Sequence, residues 1–189
     1  MLELNYVLDI LENDSVLEHM LQGDVVLIET NPSLLQKLFP VLLANLSSEK
    51  TAVVLLVQHS YFDMLSFCKT NGVNSSNMFF IDSVSRRENQ SVPKTGHVVD
   101  VASVSQINSV VDTLFADSSS FLDSSFLSVD SLNSLIVSYG GSDFPKFFHI
   151  LLTKLRSRGV GCLLFSVQDV VVDDLRAELL QLFDTTLHF

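Results

Sequence analysis

Continuous apolar runs of strand length alternate along the chain with stretches in which apolar residues recur at helical spacing. The runs show no alternation of apolar and polar positions, which is typical of strands buried on both faces. Two short runs, 97–101 and 185–189, are weaker candidates for strands. The predicted strands, including these two, are 24–29, 51–58, 78–82, 97–101, 125–131, 161–167 and 185–189.

Helical spacing and capping residues predict helices between these strands. Asn31 and Pro32 are typical of a helix start, and Pro40 should kink this helix or end it early. Ser60 can cap the next helix, which Asn71-Gly72 should end. The other predicted helices are 105–116, 145–158 with Gly159 as the closing residue, and 173–183, while 132–139 either continues a strand or forms a short helix.

Single helices between buried strands indicate an α/β fold with three layers, in which helices cover both faces of a mostly parallel central sheet. The 189 residues are expected to form one domain, with a helical lead-in at 1–23 and an α/β core at 24–189. No apolar run approaches the roughly 18 residues that span a bilayer. The N-terminus has no basic segment of the signal-peptide type, so a cytoplasmic location is expected.

The chain is acidic, with 22 acidic and 11 basic residues and a formal net charge of −11. This balance argues against nucleic acid and anionic membranes as partners, because both attract clustered lysine and arginine. One basic concentration stands out, Arg86-Arg87 with Lys94 and His97 nearby. It is interpreted as a solvated loop, with a contact to a phosphate or an acidic partner as the alternative.

The residues that usually carry metal, redox or hydrolytic chemistry are dispersed. Cys68 and Cys162 lie in apolar surroundings and are interpreted as reduced core thiols. The five histidines have no partner at zinc-ligand spacing, and His149 is interpreted as a core or interface residue. The sequence contains no G-x-S-x-G and no G-x-G-x-x-G, so neither a hydrolase elbow nor a cofactor is predicted.

Several segments together resemble the RecA superfamily, and more closely its KaiC-like branch. "FLSVDSLNSL" (126–135) resembles the Walker B strand, and "FFIDSVS" (79–85) the strand that follows the second helix. "FFHILLTKLRSRGVGCLLFSVQD" (147–169) resembles the next helix, turn and strand. The resemblance covers the chain from about residue 24 and implies a RecA-like P-loop NTPase fold, an archaeal origin and a tendency to form oligomers.

The motifs of an active family member are replaced. A glycine-rich loop ending in Gly-Lys-Thr or Gly-Lys-Ser should follow the first strand, because its N–H groups and lysine hold the phosphates. The chain has Glu29-Thr30-Asn31-Pro32-Ser33 there, and its next basic residue, Lys37, lies inside the predicted helix. Gln58-His59-Ser60 stands where the family carries catalytic glutamates. Asp130 alone matches the Walker B position, and its simplest role is a cap or a hydrogen-bond partner at the sheet edge.

Three functions follow. The first is a catalytically inactive domain, a pseudo-ATPase that regulates or assembles through protein contacts, with a protein partner or its own copies. The second is a module that binds a nucleotide or other small ligand at the carboxyl edge of the sheet without hydrolysis. That weak site would use Thr30, Asn31, Ser33, Asp130 and Ser131, with no metal and no catalytic residue. The third is an enzyme that uses His59 with Asp82 or Asp130.

Overall fold

The apolar runs form the strands of one parallel sheet. A computed structural model describes residues 15–93, 97–115, 125–140, 144–168 and 173–189. The strands are β1 (Val25–Thr30), β2 (Thr51–Leu56), β3 (Met78–Asp82), β4 (Val98–Asp100), β5 (Ser125–Val129), β6 (Cys162–Val167) and β7 (Thr185–His188). The helices are α1 (Ser15–Gln22), α2 (Pro32–Glu49), α3 (Tyr61–Asn71), α4 (Val104–Leu114), α5 (Leu132–Tyr139), α6 (Phe144–Ser157) and α7 (Asp173–Leu180).

The strand order across the seven-stranded sheet is β4-β3-β2-β5-β6-β1-β7, and every pair of neighbours is parallel. The chain leaves β1 and skips two strand positions to reach β2, then moves outward to β3 and β4. It returns through β5 and β6 and passes over β1 to place β7 at the opposite edge. All carboxyl ends therefore lie along one edge, with β6 between β1 and β5.

Each face of the sheet carries its own hydrophobic core, so the strands are buried on both sides. Val25 and Leu27 of β1 belong to one cluster, whereas Val26 and Ile28 belong to the other. Helices α1, α2 and α3 supply side chains to the second cluster, and α4 to α7 supply the first. The predicted three-layer α/β fold is confirmed, and the two cores explain why the strands lack alternation.

Helix α2 continues through Pro40 as far as Glu49, so of the two predicted effects of this proline an early end of the helix is wrong and a kink stays a prediction. A proline inside a helix removes one hydrogen bond and costs about 3 kcal/mol. Four apolar side chains that α2 buries around and beyond it, Phe39, Leu42, Leu43 and Leu46, each contribute about 1.5–3 kcal/mol. Tertiary packing therefore outweighs the local penalty.

The predicted boundaries of α3 are confirmed. The Ser60 side chain accepts a hydrogen bond from the Asp63 N–H, and the Asp63 carboxylate accepts one from the Ser60 N–H, which completes a capping box. Gly72 ends the helix with φ of 67°, a left-handed conformation that glycine adopts without strain. The segment after β5 is helix α5 and does not continue the strand, because Ser131 caps it.

Both cysteines are buried and free, as the sequence predicts. Burial raises the pKa of the Cys162 thiol to about 12, which keeps it protonated and unreactive. His149 is exposed, so it is not a core residue, and its alternative role at an interface stays a prediction. In the described parts of the chain, no helix combines the length and apolar character that a bilayer crossing requires.

Candidate functional site at the carboxyl edge of the sheet

The end of β1, where a phosphate loop would begin, is covered by the last strand. The Phe189 N–H donates to the Glu29 carbonyl at 3.0 Å, and the Thr30 hydroxyl donates to the Phe189 carbonyl at 3.1 Å. The Glu29 carboxylate is almost completely buried and lies 3.3 Å from His188 Nδ1. The polar groups of Glu29 and Thr30 are thus engaged within the protein.

The turn after β1 is a single residue, Asn31, before α2 begins at Pro32. The Asn31 side chain accepts a hydrogen bond from the Leu34 N–H at 3.0 Å and so occupies one free donor of the helix start. Pro32 has no N–H to donate. Asn31, Pro32 and Ser33 are all exposed, and the turn is too short to enclose a phosphate.

Asp130, the residue after β5, has a buried carboxylate that binds the main chain of the loop after β2. Oδ1 accepts from the Val57 N–H at 2.9 Å, and Oδ2 accepts from the Gln58 N–H at 3.1 Å and the His59 N–H at 2.9 Å. Asp130 is 1% exposed. Its predicted role as a hydrogen-bond partner at the carboxyl edge is confirmed.

His59 completes the surroundings of this carboxylate. Its Nδ1 lies 3.2 Å from Asp130 Oδ2, and its ring stacks on Phe39 at 6.3 Å between centroids with an interplanar angle of 5°. The hydrogen bond to Asp130 raises the pKa of His59 above its ordinary value, although burial opposes the shift. Negative charge on Asp130 and Asp63 acts in the same direction as that bond.

Asp82, the last residue of β3, repeats the arrangement one strand away. Its Oδ1 accepts from the N–H groups of Val84 and Ser85, at 2.7 and 2.9 Å. Its Oδ2 accepts from the Tyr61 N–H at 2.9 Å and from the Ser85 hydroxyl at 2.5 Å. These bonds join the loop after β3 to the start of α3. Of Asp82 and Asp130, the two predicted partners of His59, Asp130 is the one that pairs with it.

The five predicted ligand-binding residues lie on the same edge but form two groups. Thr30, Asn31 and Ser33 follow β1, whereas Asp130 and Ser131 follow β5, and the end of β6 lies between them. Parallel neighbours lie about 4.8 Å apart, so the two groups are separated by roughly 10 Å. Ser131 caps α5 through the Ser134 N–H at 3.0 Å.

Asn133 closes the space between these groups, and its role was not predicted. Its Oδ1 accepts from the Val167 N–H at 2.7 Å, which joins α5 to the end of β6. The Gln168 N–H in turn donates to the Thr30 carbonyl at 3.1 Å. An asparagine near a helix start is ordinary, so the sequence offered no signal for this bridge.

Arg87 is a second residue whose role was not predicted, although the Arg86-Arg87 pair was noted as the basic concentration of the chain. Arg87 Nε donates to the Ser83 carbonyl at 2.8 Å, and Nη1 donates to the Ser138 hydroxyl at 2.9 Å. The side chain therefore joins the loop after β3 to α5. Across the residues that the structure describes, no group of three histidine, cysteine, aspartate or glutamate side chains could hold a metal ion.

Comparison with known proteins finds likeness in structure alone: no family model and no curated protein matches the sequence. A KaiC-like protein from the hyperthermophilic archaeon Pyrococcus horikoshii aligns with a TM-score of 0.56 and 14% identity, over 88% of this chain and 72% of its own. The flagellar accessory protein FlaH from Methanocaldococcus jannaschii aligns with a TM-score of 0.53 and 10% identity, over 88% and 71%.

A further Pyrococcus horikoshii protein aligns with a TM-score of 0.56 and 12% identity, over 88% of this chain and 81% of its own. Identities this low show the fold alone. The RecA-like α/β fold expected from the sequence is therefore confirmed.

We predict that Asp130→Asn lowers the free energy of unfolding by about 2 kcal/mol or more. The amide group of asparagine would turn hydrogen-bond donors toward main-chain N–H groups that are buried and need acceptors. Urea denaturation followed by circular dichroism measures the change. Asp112→Asn is the matched control, because Asp112 forms partly exposed ion pairs with Lys154 and Arg158 and should cost at most about 1 kcal/mol. Equal effects of the two substitutions would contradict the role assigned to Asp130.

The raised pKa of His59 predicts a pH-dependent contribution to stability. Protonated His59 stabilises the fold below the ordinary histidine value of 6.5, and this contribution is lost as pH rises through the higher folded-state pKa. The stability difference between the wild type and His59→Gln should therefore be largest about one unit below 6.5 and shrink at alkaline pH.

Urea titrations of both proteins across this range measure that difference. His97→Gln provides a control, because His97 is exposed. A difference between wild type and His59→Gln that stays constant with pH would rule out the coupling to Asp130.

Proposed function

We propose that this protein is a catalytically inactive RecA/KaiC-like domain, a pseudo-ATPase that regulates or assembles through protein contacts. The observation that carries the proposal is the state of Asp130, the residue at the Walker B-like position. Both of its carboxylate oxygens accept main-chain hydrogen bonds from the loop after β2. A carboxylate engaged in this way has little capacity left to orient a metal ion and its water ligands.

The start of α2 supports the same conclusion. A phosphate-binding turn needs main-chain N–H groups that point into an open loop, and a lysine to neutralise charge. The turn here is one residue long, and its Asn31 side chain occupies the Leu34 N–H. Glu29 would place a buried carboxylate beside a polyphosphate, which is electrostatically unfavourable.

The edge of the sheet at β7 supports assembly. β7 pairs on one side with β1, and no strand in the described parts of the chain pairs with its other side. Its start is anchored, because Asp184 accepts from the Val25 N–H at 2.8 Å and lies 3.0 Å from Arg156. A fixed edge strand presents main-chain donors and acceptors that a strand from another chain can pair with.

The aromatic content, in contrast, adds no support for assembly. The sequence has 14 phenylalanines, which fit a protein with apolar faces beyond its own core. Many of these side chains are fully buried in the domain itself, among them Phe80, Phe115, Phe126, Phe144, Phe148 and Phe165. The proposed assembly therefore rests on the sheet edge.

A binding module without hydrolysis is the second candidate. The observation that favours it is a cavity at the carboxyl edge, although the residues around this cavity differ from the five predicted ones.

A cytoplasmic location and an archaeal origin remain predictions, the first from the sequence and the second from its resemblance to KaiC-like proteins.

The proposal predicts that ATP with Mg²⁺ shows no saturable, magnesium-dependent binding in the micromolar range. Titration calorimetry measures this directly, and a parallel assay of phosphate release should give the same rate with and without protein. ADP with Mg²⁺ serves as a second ligand, because a surviving nucleotide site would bind both. Micromolar binding that disappears when Mg²⁺ is removed would contradict the pseudo-ATPase proposal.

Assembly through β7 predicts a species heavier than the 21.0 kDa chain in size-exclusion chromatography with light scattering. Thr186→Lys should shift this species toward the monomer, because a lysine on an edge strand disfavours pairing with another chain. Ser109→Lys is the matched control, since it adds the same charge at an exposed position of α4. A wild-type monomer at every soluble concentration would contradict self-association and leave a different protein as the partner.

A further inference from the structure

A small cavity of about 160 Å³ opens at the carboxyl edge, between the loop after β3 and helix α5. We call it the arginine pocket and define it by Ser83, Arg86, Arg87, Ser138 and Tyr139, which line it. It contains the two arginines that the sequence marks as the basic concentration of an acidic chain. Neither the proposed loss of ATP hydrolysis nor the assembly through β7 makes use of it.

The Arg87 side chain is held in a fixed orientation on the wall of this pocket. Its Nε donates to the Ser83 carbonyl at 2.8 Å, its Nη1 to the Ser138 hydroxyl at 2.9 Å, and its Nη2 to the Ser83 hydroxyl at 3.2 Å. All of these acceptors are neutral. Within the described residues no carboxylate lies at ion-pair distance from Arg87, so its charge is oriented but not neutralised by a partner.

Hydrogen-bond donors remain free around the pocket after these contacts are made. Each terminal nitrogen of a guanidinium group carries two hydrogens, and Arg87 Nη1 has one described acceptor. The Ser138 hydroxyl accepts from Arg87 and keeps its own hydrogen to donate. Among the described residues, no other hydrogen bond of the Ser138 hydroxyl competes for that hydrogen.

Arg86 supplies a second positive charge. Its side chain is 63% exposed, and the carboxylate that pairs with it, Asp100, lies 4.0 Å away. An ion pair this long and exposed is weak, so Arg86 can turn toward a ligand at little cost. Two guanidinium groups and a serine hydroxyl then face one small space from different sides.

We propose that the arginine pocket binds the phosphate group of a small phosphorylated molecule. Planar guanidinium groups form paired, charge-assisted hydrogen bonds with phosphate oxygens. Donors that approach from several sides match the tetrahedral arrangement of phosphate oxygens better than the two coplanar oxygens of a carboxylate. The formal net charge of −11 favours one phosphate group over an extended polyanion. The other basic cluster, Lys154, Arg156 and Arg158, pairs with Asp112 and Asp184 and so adds no free positive surface.

The arginine pocket is separate from the place where a phosphate loop would lie. It is built on the loop after β3 and on the helix after β5, whereas the missing loop would follow β1 on the far side of β6. The proposal does not depend on the absence of ATP binding, and each can fail without the other.

Titration calorimetry with inorganic phosphate at constant ionic strength tests the pocket. The wild type should bind phosphate, and Ser138→Ala and Arg86→Gln should each weaken binding about tenfold, as expected for the loss of one charge-assisted hydrogen bond. Lys69→Gln should leave binding unchanged, because it removes the same charge from an exposed position in the last turn of α3. Ser138→Ala also removes the acceptor that joins Arg87 to α5, whereas Arg86→Gln removes only the weak ion pair with Asp100. Arg86→Gln therefore decides the test if Ser138→Ala lowers the free energy of unfolding.

Acetate and glycerol phosphate form the other arms of this experiment. Glycerol phosphate should bind at least as tightly as inorganic phosphate, whereas acetate should bind more weakly than either. Equal phosphate binding by wild type, Ser138→Ala and Arg86→Gln would overturn the site, and so would acetate binding as tight as phosphate binding. Magnesium-dependent ATP binding that persists in Ser138→Ala would contradict the pseudo-ATPase proposal while leaving the arginine pocket intact.

Discussion

The carboxyl edge of this sheet depends on one interaction: the buried carboxylate of Asp130 and the main-chain N–H groups of residues 57–59. The loop after β2 must turn sharply from the strand into α3, and its N–H groups point toward the buried carboxylate of Asp130. Buried N–H groups without acceptors are costly, so a carboxylate that accepts three of them sets the path of the loop. The position of Ser60, and with it the start of α3, follows from that path.

Asp82 holds the loop after β3 in the same way and joins it to the end of the loop after β2. Its carboxylate accepts the N–H of Tyr61, at the start of α3, as well as those of Val84 and Ser85 in its own loop. The loop after β3 is thereby fixed with Ser83 and Arg87 in place beside α5. The arginine pocket therefore depends on the buried carboxylates of Asp130 and Asp82, which lie outside it.

Local features of the sequence predicted most of the fold, and distant contacts account for what it did not predict. Strands buried on both faces lack alternation, and Ser60 and Gly72 mark the ends of α3 through their own side-chain chemistry. Pro40 does not end α2 early, because the penalty of a proline is local, whereas the packing that outweighs it depends on the sheet.

The candidate site was harder to predict for the same reason. Asp130 was recognised as a hydrogen-bond partner, but its donors lie more than 70 positions earlier in the chain. Arg87 and Ser138 are 51 positions apart, and no pattern within either segment connects them.

An active phosphate loop keeps main-chain N–H groups unsatisfied until a ligand arrives, which costs stability in the empty protein. Here Asn31 and Asp130 accept hydrogen bonds from main-chain N–H groups at the corresponding edge, and the Phe189 carbonyl accepts one from the Thr30 hydroxyl, so these groups need no ligand at β1. Arg87 differs from these groups because its hydrogen-bond acceptors are neutral. Its positive charge can therefore still be stabilised by an anionic ligand at this edge.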